Sequence, residues 1–462
     1  MPDVLLTHGY FLWEDANEAA IMKPYPPLGL LYLSAYLKRA GLEPEVFDTT
    51  FATREELLAR LDEGPGTLGI YTNLLTRSNV VWLMGEARRR GWTVVCGGPE
   101  SVNYPAEYLR HGAHAVVLGE GEETLLELLR VLPERGPHDL GSVAGVVWRT
   151  EHGRTVTNEG RAQLRDLDGL PWPDREAIDI DRYVEVWRTH HGMGSVNLIT
   201  ARGCPYKCNW CSHATFGRTH RRRSPADCAD EVAHIVQRYA PDQVWYADDV
   251  FTISHKWLYD YAAELSRRSL RVPFETISRA DRMADERVLE TLAAMGCYRI
   301  WIGSESGSQR ILDAMQRGVT VEQVQWAAEA ARRHGIEVGM FLMWGYEGEE
   351  VSDIEATIDH VKACDPDLYF TTVSYPIKGT GYYAAVEDRL QVTTEWADRT
   401  DRDLKVAGRH SRRYYEHADA WLHAAVDAHR LAPTDPAAAA ARRADAAAAR
   451  AALDAAATEV EA

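Results

Sequence analysis

Three cysteines in one short run carry the most explicit chemistry in the chain. Cys204, Cys208 and Cys211 lie in the segment Thr200-Ala-Arg-Gly-Cys-Pro-Tyr-Lys-Cys-Asn-Trp-Cys, with the spacing C-x3-C-x2-C. A single loop of that spacing can wrap three thiolates around three irons of a cubane iron–sulfur cluster and leave the fourth iron open. The same thiols with His213, two residues beyond Cys211, would also make a four-ligand zinc site, so spacing alone leaves both metals open. A ferredoxin-like cluster fits less well because a fourth nearby cysteine is missing. Cys96, Cys228, Cys297 and Cys364 have no ligand spacing and read as small buried apolar residues.

The elements that must position this loop follow from the alternation of apolar runs. Val4 to Thr7, Glu45 to Phe47, Leu68 to Thr72, Thr93 to Cys96 and Ala115 to Leu118 read as strands, each followed by a helical pattern. That alternation predicts an α/β domain over residues 1–135 with a doubly wound parallel sheet, whose ligands sit at the carboxyl ends of the strands. Residues 136–190, with a short strand-like stretch at Val143 to Arg149 and the rigid Leu170-Pro-Trp-Pro173, read as a linker. A second series begins near residue 191: Val196 to Thr200, Gln243 to Ala247, Phe274 to Ser278, Arg299 to Gly303, Glu337 to Met343 and Leu368 to Val373. Six βα units over 191–388 predict a partial barrel, with the cysteine loop directly after its first strand. Residues 389–432 read as a helical extension. The Ala-rich stretch 433–462 has few large apolar side chains to bury and is expected to be a disordered tail.

Composition narrows the class of function. At 462 residues two cores are expected, and seven cysteines, three of them within eight residues, are too few for a secreted disulfide framework. No apolar run approaches a bilayer span, and the N-terminus lacks the basic region and cleavage site of a signal peptide, so the expectation is a cytoplasmic protein without membrane contact. With 51 Lys and Arg against 69 Asp and Glu the formal charge is −18, which argues against nucleic acid as a partner. The basic run Arg218, His220, Arg221, Arg222 and Arg223 is the local exception and reads as a solvated loop or helix start.

At the three cysteines and Trp210 the sequence resembles the radical S-adenosylmethionine (SAM) superfamily. The resemblance implies a [4Fe–4S] cluster on Cys204, Cys208 and Cys211 whose open iron binds SAM, which on reduction yields a hydrogen-abstracting adenosyl radical. It extends to later strand ends. Asp248 and Asp249 are the candidates for the SAM amino group, Arg279 for its carboxylate, Ser304 and Glu305 for ribose and methionine, and the strand carrying Met340 for the adenine.

The front half resembles the cobalamin-binding domain that precedes the barrel in one large radical SAM class. The residues that carry this are Lys23 to Leu33, with Pro27 and Leu28, then Gly97-Gly98-Pro99 and Gly119-Glu120-Gly121-Glu122. Gly9, Asn73, Leu74 and Arg77 are the further cobalamin candidates. The Asp-x-His-x-x-Gly signature of an axial imidazole is absent, so His8 is read as structural rather than as a cobalt ligand. The resemblance implies an enzyme that abstracts hydrogen from a small-molecule substrate and transfers a methyl group from cobalamin to carbon. The alternative keeps both cofactors and ends in cyclisation, ring contraction or oxidation, as in the anaerobic porphyrin cyclase. A third reading is a cobalamin or redox sensor without turnover. Cluster chemistry further implies an electron donor such as flavodoxin or ferredoxin.

Overall fold

A computed structural model of the chain describes residues 2–461. The first sheet comprises β1 (Val4–His8), β2 (Pro44–Phe47), β3 (Thr67–Tyr71), β4 (Thr93–Gly97), β5 (Ala115–Val117), β6 (Val146–Arg149) and β7 (Thr155–Thr157), in the order β2-β1-β3-β4-β5-β6-β7. The first five strands are parallel, while β6 and β7 add on antiparallel. Val143 to Arg149, read from sequence as linker, is therefore the start of two further strands of this sheet.

Strand side chains alternate between faces, so a parallel sheet needs cover on both. On one face Leu5, Leu68, Ile70, Val94 and Cys96 meet Leu57 and Leu61 of helix Arg54–Asp62 and Val80, Leu83 and Met84 of helix Arg77–Arg89. On the other, Val4, Leu6, Val95 and Ala115 meet Leu30 and Leu37 of helix Leu28–Arg39 and Leu125 and Leu128 of helix Glu122–Arg135. The expected doubly wound architecture is what these two cores produce.

The second series gives β8 (Ser195–Leu198), a short antiparallel pair β9 (Ala201–Arg202) and β10 (Arg221–Arg222), then β11 (Gln243–Tyr246), β12 (Phe274–Ser278), β13 (Cys297–Glu305), β14 (Glu337–Trp344) and β15 (Leu368–Val373). Strands β8, β11, β12, β13, β14 and β15 form a six-stranded sheet in chain order. The chain divides into two compact units, residues 1–205, 212–247 and 394–400 in the first, and 206–211, 248–393 and 401–462 in the second. In the second unit Ile300, Ile302, Val338, Met340 and Leu342 are buried, and helix Val321–Arg333 covers β13 and β14.

Two expectations for the C-terminal region are corrected. Residues 394–400 belong to the first unit, where Trp396 packs against Tyr104, Tyr108 and His111 within one of its cores. The stretch expected to be disordered forms helix Pro436–Ala456, started by Pro436 and by the Asp435 side chain accepting from the Ala438 amide. Buried Ala439, Ala446 and Leu453 recur every seventh residue, and this small-residue stripe packs against helix Arg412–Leu431. Alanine combines the highest helix propensity with close helix approach, so few large side chains are needed. Beyond it Glu461 pairs with Arg409 at 2.9 Å. No helix among the described residues is long and apolar enough to cross a membrane. The expected outcome of Leu453→Ala is a loss of about 2–5 kcal/mol, read by chemical denaturation, because the side chain is fully buried; an unchanged curve would contradict the packed helix.

Candidate active site

The cysteine loop leaves the β9–β10 ladder, in which Arg202 and Ala201 oppose Arg221 and Arg222. This ladder is held in the first unit by ion pairs. Glu120 accepts from Arg202 at 2.8 Å and Arg221 at 2.7 Å, and Glu122 from Arg202 at 2.6 Å. Arg223 pairs with buried Glu231, which also takes Arg175 at 2.6 Å. The basic run read as solvated is thus largely enclosed: Arg221 and Arg223 serve as buried counter-ions to acids on other elements. Burying these carboxylates alone would be costly, and the guanidinium forks offset it.

In the second unit the loop is fixed by backbone. Asn209 N–H donates to the Met315 carbonyl at 3.0 Å, and Tyr382 N–H donates to the Asn209 carbonyl at 2.9 Å. Trp210 packs against a core containing Ile311, Met315, Met343, Tyr346 and Tyr382. Cys204 is half-buried, Cys208 buried and Cys211 exposed. Among the described residues no three His, Cys, Asp or Glu side chains converge on one point, so the structure gives the frame of the loop and not a closed ligand set. Two guanidinium groups converge on Cys208: Nη1 of Arg279 and Nη1 of Arg317 both lie 3.8 Å from its sulfur.

The strand-end candidates of the second unit separate into two groups. Asp248 is buried and Asp249 exposed immediately after β11. Glu305 ends β13 with φ of 63°, in the left-handed region, and faces Arg317 at 3.8 Å. Burial pushes its carboxyl upward against the opposing pull of Arg317 and Arg279. Ser304 goes elsewhere. Its hydroxyl pairs with His360 Nε2 at 2.9 Å, on helix Val351–Cys364. Met340 lies buried in β14, paired with Ile302 of β13 on one side and Tyr369 of β15 on the other. Arg279, expected at the SAM carboxylate, has its three guanidinium nitrogens engaged by Asp281, the Arg317 carbonyl and Cys208.

Sequence reading missed the device that holds Glu305. Helix Val351–Cys364 offers Asp353, Thr357 and His360, on one face at successive turns, to Ser308 at 2.6 Å, Ser306 at 3.2 Å and Ser304 at 2.9 Å. Thr357 also accepts from the Gly307 amide at 2.9 Å. The approach is so close that a Cβ on Gly307 would lie 2.4 Å from the Ala356 carbonyl oxygen. The signal was present as serines at 304, 306 and 308, but its partners lie about fifty residues away.

In the first unit, Gly9, Asn73, Leu74, Gly97, Gly98, Gly119, Glu120 and Gly121 fall at or after the carboxyl ends of β1, β3, β4 and β5. Gly98, with φ of 109°, passes so near β3 that a Cβ would sit 2.4 Å from the Thr72 carbonyl oxygen, so its glycine is required by the protein's own packing. The Asn73 side chain caps the Leu75 and Thr76 amides. Arg77 is turned into the core: it is fully buried, pairs with Glu100 at 2.5 Å, donates to the Arg399 carbonyl and lies over Tyr104 and Trp396. Glu120 is likewise occupied by Arg202 and Arg221. Pro27 is half-buried and Leu28 buried where the preceding segment ties to β8 and to helix Ile180–His191, through Pro26 O to Asn197 and Pro24 O to Trp187. His8 is structural, as read: it meets Asp48 at 2.9 Å and Thr49 at 3.0 Å and is buried. The apolar side chains left exposed at these strand ends are Trp13 (56%) after β1 and Leu75 (45%) after β3, neither of which was singled out by sequence.

Residues 198–361 match the radical SAM superfamily and residues 19–129 the B12 binding domain. The chain thus carries a region of the radical SAM type behind one of the B12-binding type. Its front domain is of the B12-binding type, and the cofactors of the two domains are a [4Fe–4S] cluster, SAM and cobalamin, which makes the chain an enzyme. It is 27% identical over 401 residues to an uncharacterized methyltransferase of Pyrococcus horikoshii, covering 84% of this chain and 85% of that protein. It is 25% identical over 385 residues to the anaerobic magnesium-protoporphyrin IX monomethyl ester cyclase of Rubrivivax gelatinosus, covering 81% and 68%. The fold is similar to the radical SAM methyltransferase TsrM from Kitasatospora setae, solved with cobalamin and a [4Fe–4S] cluster, at TM-score 0.70 and 21% identity over 86% of this chain and 81% of that one.

In the second unit the His360 contact carries a pH signature. Burial lowers its pKa from an ordinary value near 6.5 to about 4. The unfolded chain therefore takes up the proton first, and stability is lost as pH falls from about 6.5 towards 4. Against a His360→Asn variant, the wild-type protein is expected to lose up to about 3 kcal/mol more over that interval, measured by urea unfolding at each pH. Parallel curves would contradict a buried neutral His360.

Proposed function

We propose that this enzyme methylates an unactivated carbon of a small-molecule substrate, using Cys204, Cys208 and Cys211 as the three cluster ligands. The observation that carries the reading is the joining, in one chain, of a three-cysteine radical SAM loop to a B12-binding domain. Together the bound groups supply a hydrogen-abstracting radical from SAM and a methyl group from cobalamin. The chain's own residues position these groups. Trp210 packs one side of the cysteine loop, Glu305 offers a buried carboxylate beside the loop's arginine partners, and Asp248 and Asp249 supply acceptors for an ammonium. His8 is held by Asp48 and Thr49, and Trp13 and Leu75 would offer exposed apolar surface to a bound cobalamin. One-electron reduction calls for a small donor of the flavodoxin or ferredoxin class, and we place the enzyme in the cytoplasm with that donor.

A second reading, cyclisation or ring oxidation without methyl transfer, is favoured by the similarity to the magnesium-protoporphyrin cyclase. The two separate by their SAM products. Reconstitution with iron, sulfide and hydroxocobalamin, followed by SAM and reductant, is expected to give both 5′-deoxyadenosine and S-adenosylhomocysteine by mass spectrometry. Cys208→Ala is expected to abolish the deoxyadenosine. Deoxyadenosine alone would instead support the cyclase-like reading, and no SAM cleavage by the cluster-loaded protein would overturn both.

A further inference from the structure

Two guanidinium groups that the proposed chemistry does not consume converge on one cysteine. Arg279 and Arg317 come from different segments of the second unit, after β12 and after helix Gln309–Ala314, and both are almost fully buried. Each directs Nη1 at the Cys208 sulfur from 3.8 Å. Both already have partners within the protein. Arg279 is fixed by Asp281 at 2.9 Å and the Arg317 carbonyl at 2.8 Å, and its guanidinium lies 3.6 Å from the centre of the Tyr206 ring. Arg317 donates to the Gly303 carbonyl at 2.7 Å and faces Glu305. The Arg317 backbone thus holds Arg279 while both side chains meet at the same sulfur.

We propose that Arg279 and Arg317 are positioning residues that raise the reduction potential of the cluster through the Cys208 sulfur. This rests on the reading that Cys208 is a cluster ligand. Reduction adds one electron, delivered by a low-potential one-electron donor, and so adds one negative charge to a cluster already bearing three thiolates. Hydrogen bonds to ligand sulfur and nearby positive charge favour that more negative state. Two guanidinium donors on one buried sulfur act in the same direction. A chain with a formal charge of −18 would otherwise make the added electron harder to accept.

The test is an anaerobic redox titration of the full-length, cluster-loaded protein, without SAM, followed by the EPR signal of the reduced cluster. The variants are Arg317→Met, Arg279→Met and the charge-retaining Arg317→Lys and Arg279→Lys. Iron and sulfide content is measured in each. The expected result is a midpoint displaced to more negative potential in both Met variants, with smaller displacements in the Lys variants and cluster content unchanged. A Met variant that loses its cluster leaves the corresponding Lys variant to decide, by the same negative displacement or its absence. Loaded variants with the wild-type midpoint would overturn the proposal and leave the arginines as groups for SAM or for packing. A Cys208→Ala protein that keeps the wild-type iron content and spectrum would instead overturn the ligand reading on which the proposal rests.

Discussion

Charge compensation around a buried sulfur is the constraint that orders the second unit. A thiolate carrying part of an anionic cluster cannot be enclosed in a protein without opposing charge, and an enclosed guanidinium is equally costly without an acceptor. Arg279 and Arg317 converge on the Cys208 sulfur, and each needs its own support. Asp281, the Tyr206 ring and the Arg317 carbonyl orient one; the Gly303 carbonyl and Glu305 orient the other. Glu305 in turn stands at a left-handed backbone position that a strand would not hold unaided. The serines on either side of it are gripped by Asp353, Thr357 and His360 from a single helix face. The site is therefore built outward from the sulfur through successive shells of fixed donors and acceptors.

The first unit meets a comparable demand with the opposite sign. Glu120, Glu122 and Glu231 are enclosed, and Arg202, Arg221, Arg223 and Arg175 are brought to them. The effect is to pin the β9–β10 ladder, from which the cysteine loop departs, to the segment after β5. Residues that resemble a cofactor loop by their glycines and acids thus also anchor the ladder from which the cysteine loop leaves. Arg77 shows the same economy of burial, closing one core beneath Tyr104 and Trp396 through its pair with Glu100.

Much of this architecture was legible because the parallel strands are short apolar runs separated by helical patterns, and all eleven of the parallel strands read from the sequence are found in the structure. The cysteine motif was legible because its spacing is local. What escaped depends on partners remote in sequence. The run from Arg218 to Arg223 reads as solvated until Glu120 and Glu231 are placed beside it. Ser304 reads as a ligand contact until His360 is seen behind it. Helix Pro436–Ala456 looks too poor in large apolar groups to fold, since hydrophobicity does not register how closely an alanine face can approach another helix. β6 was read as a strand-like stretch but left in a linker, and β7 escaped, because a short antiparallel addition in a turn-rich stretch carries little periodicity.

The central claim is that the three-cysteine loop holds a cluster with one iron open to SAM. It is tested most directly by electron–nuclear double resonance on the reduced, reconstituted protein supplied with SAM labelled with oxygen-17 in the carboxylate and nitrogen-15 in the amino group. The account predicts strong hyperfine couplings from both labels, as direct ligation to iron requires, and their loss when SAM is omitted. A reduced cluster whose spectrum is indifferent to labelled SAM, in protein that binds SAM by equilibrium dialysis, would contradict it.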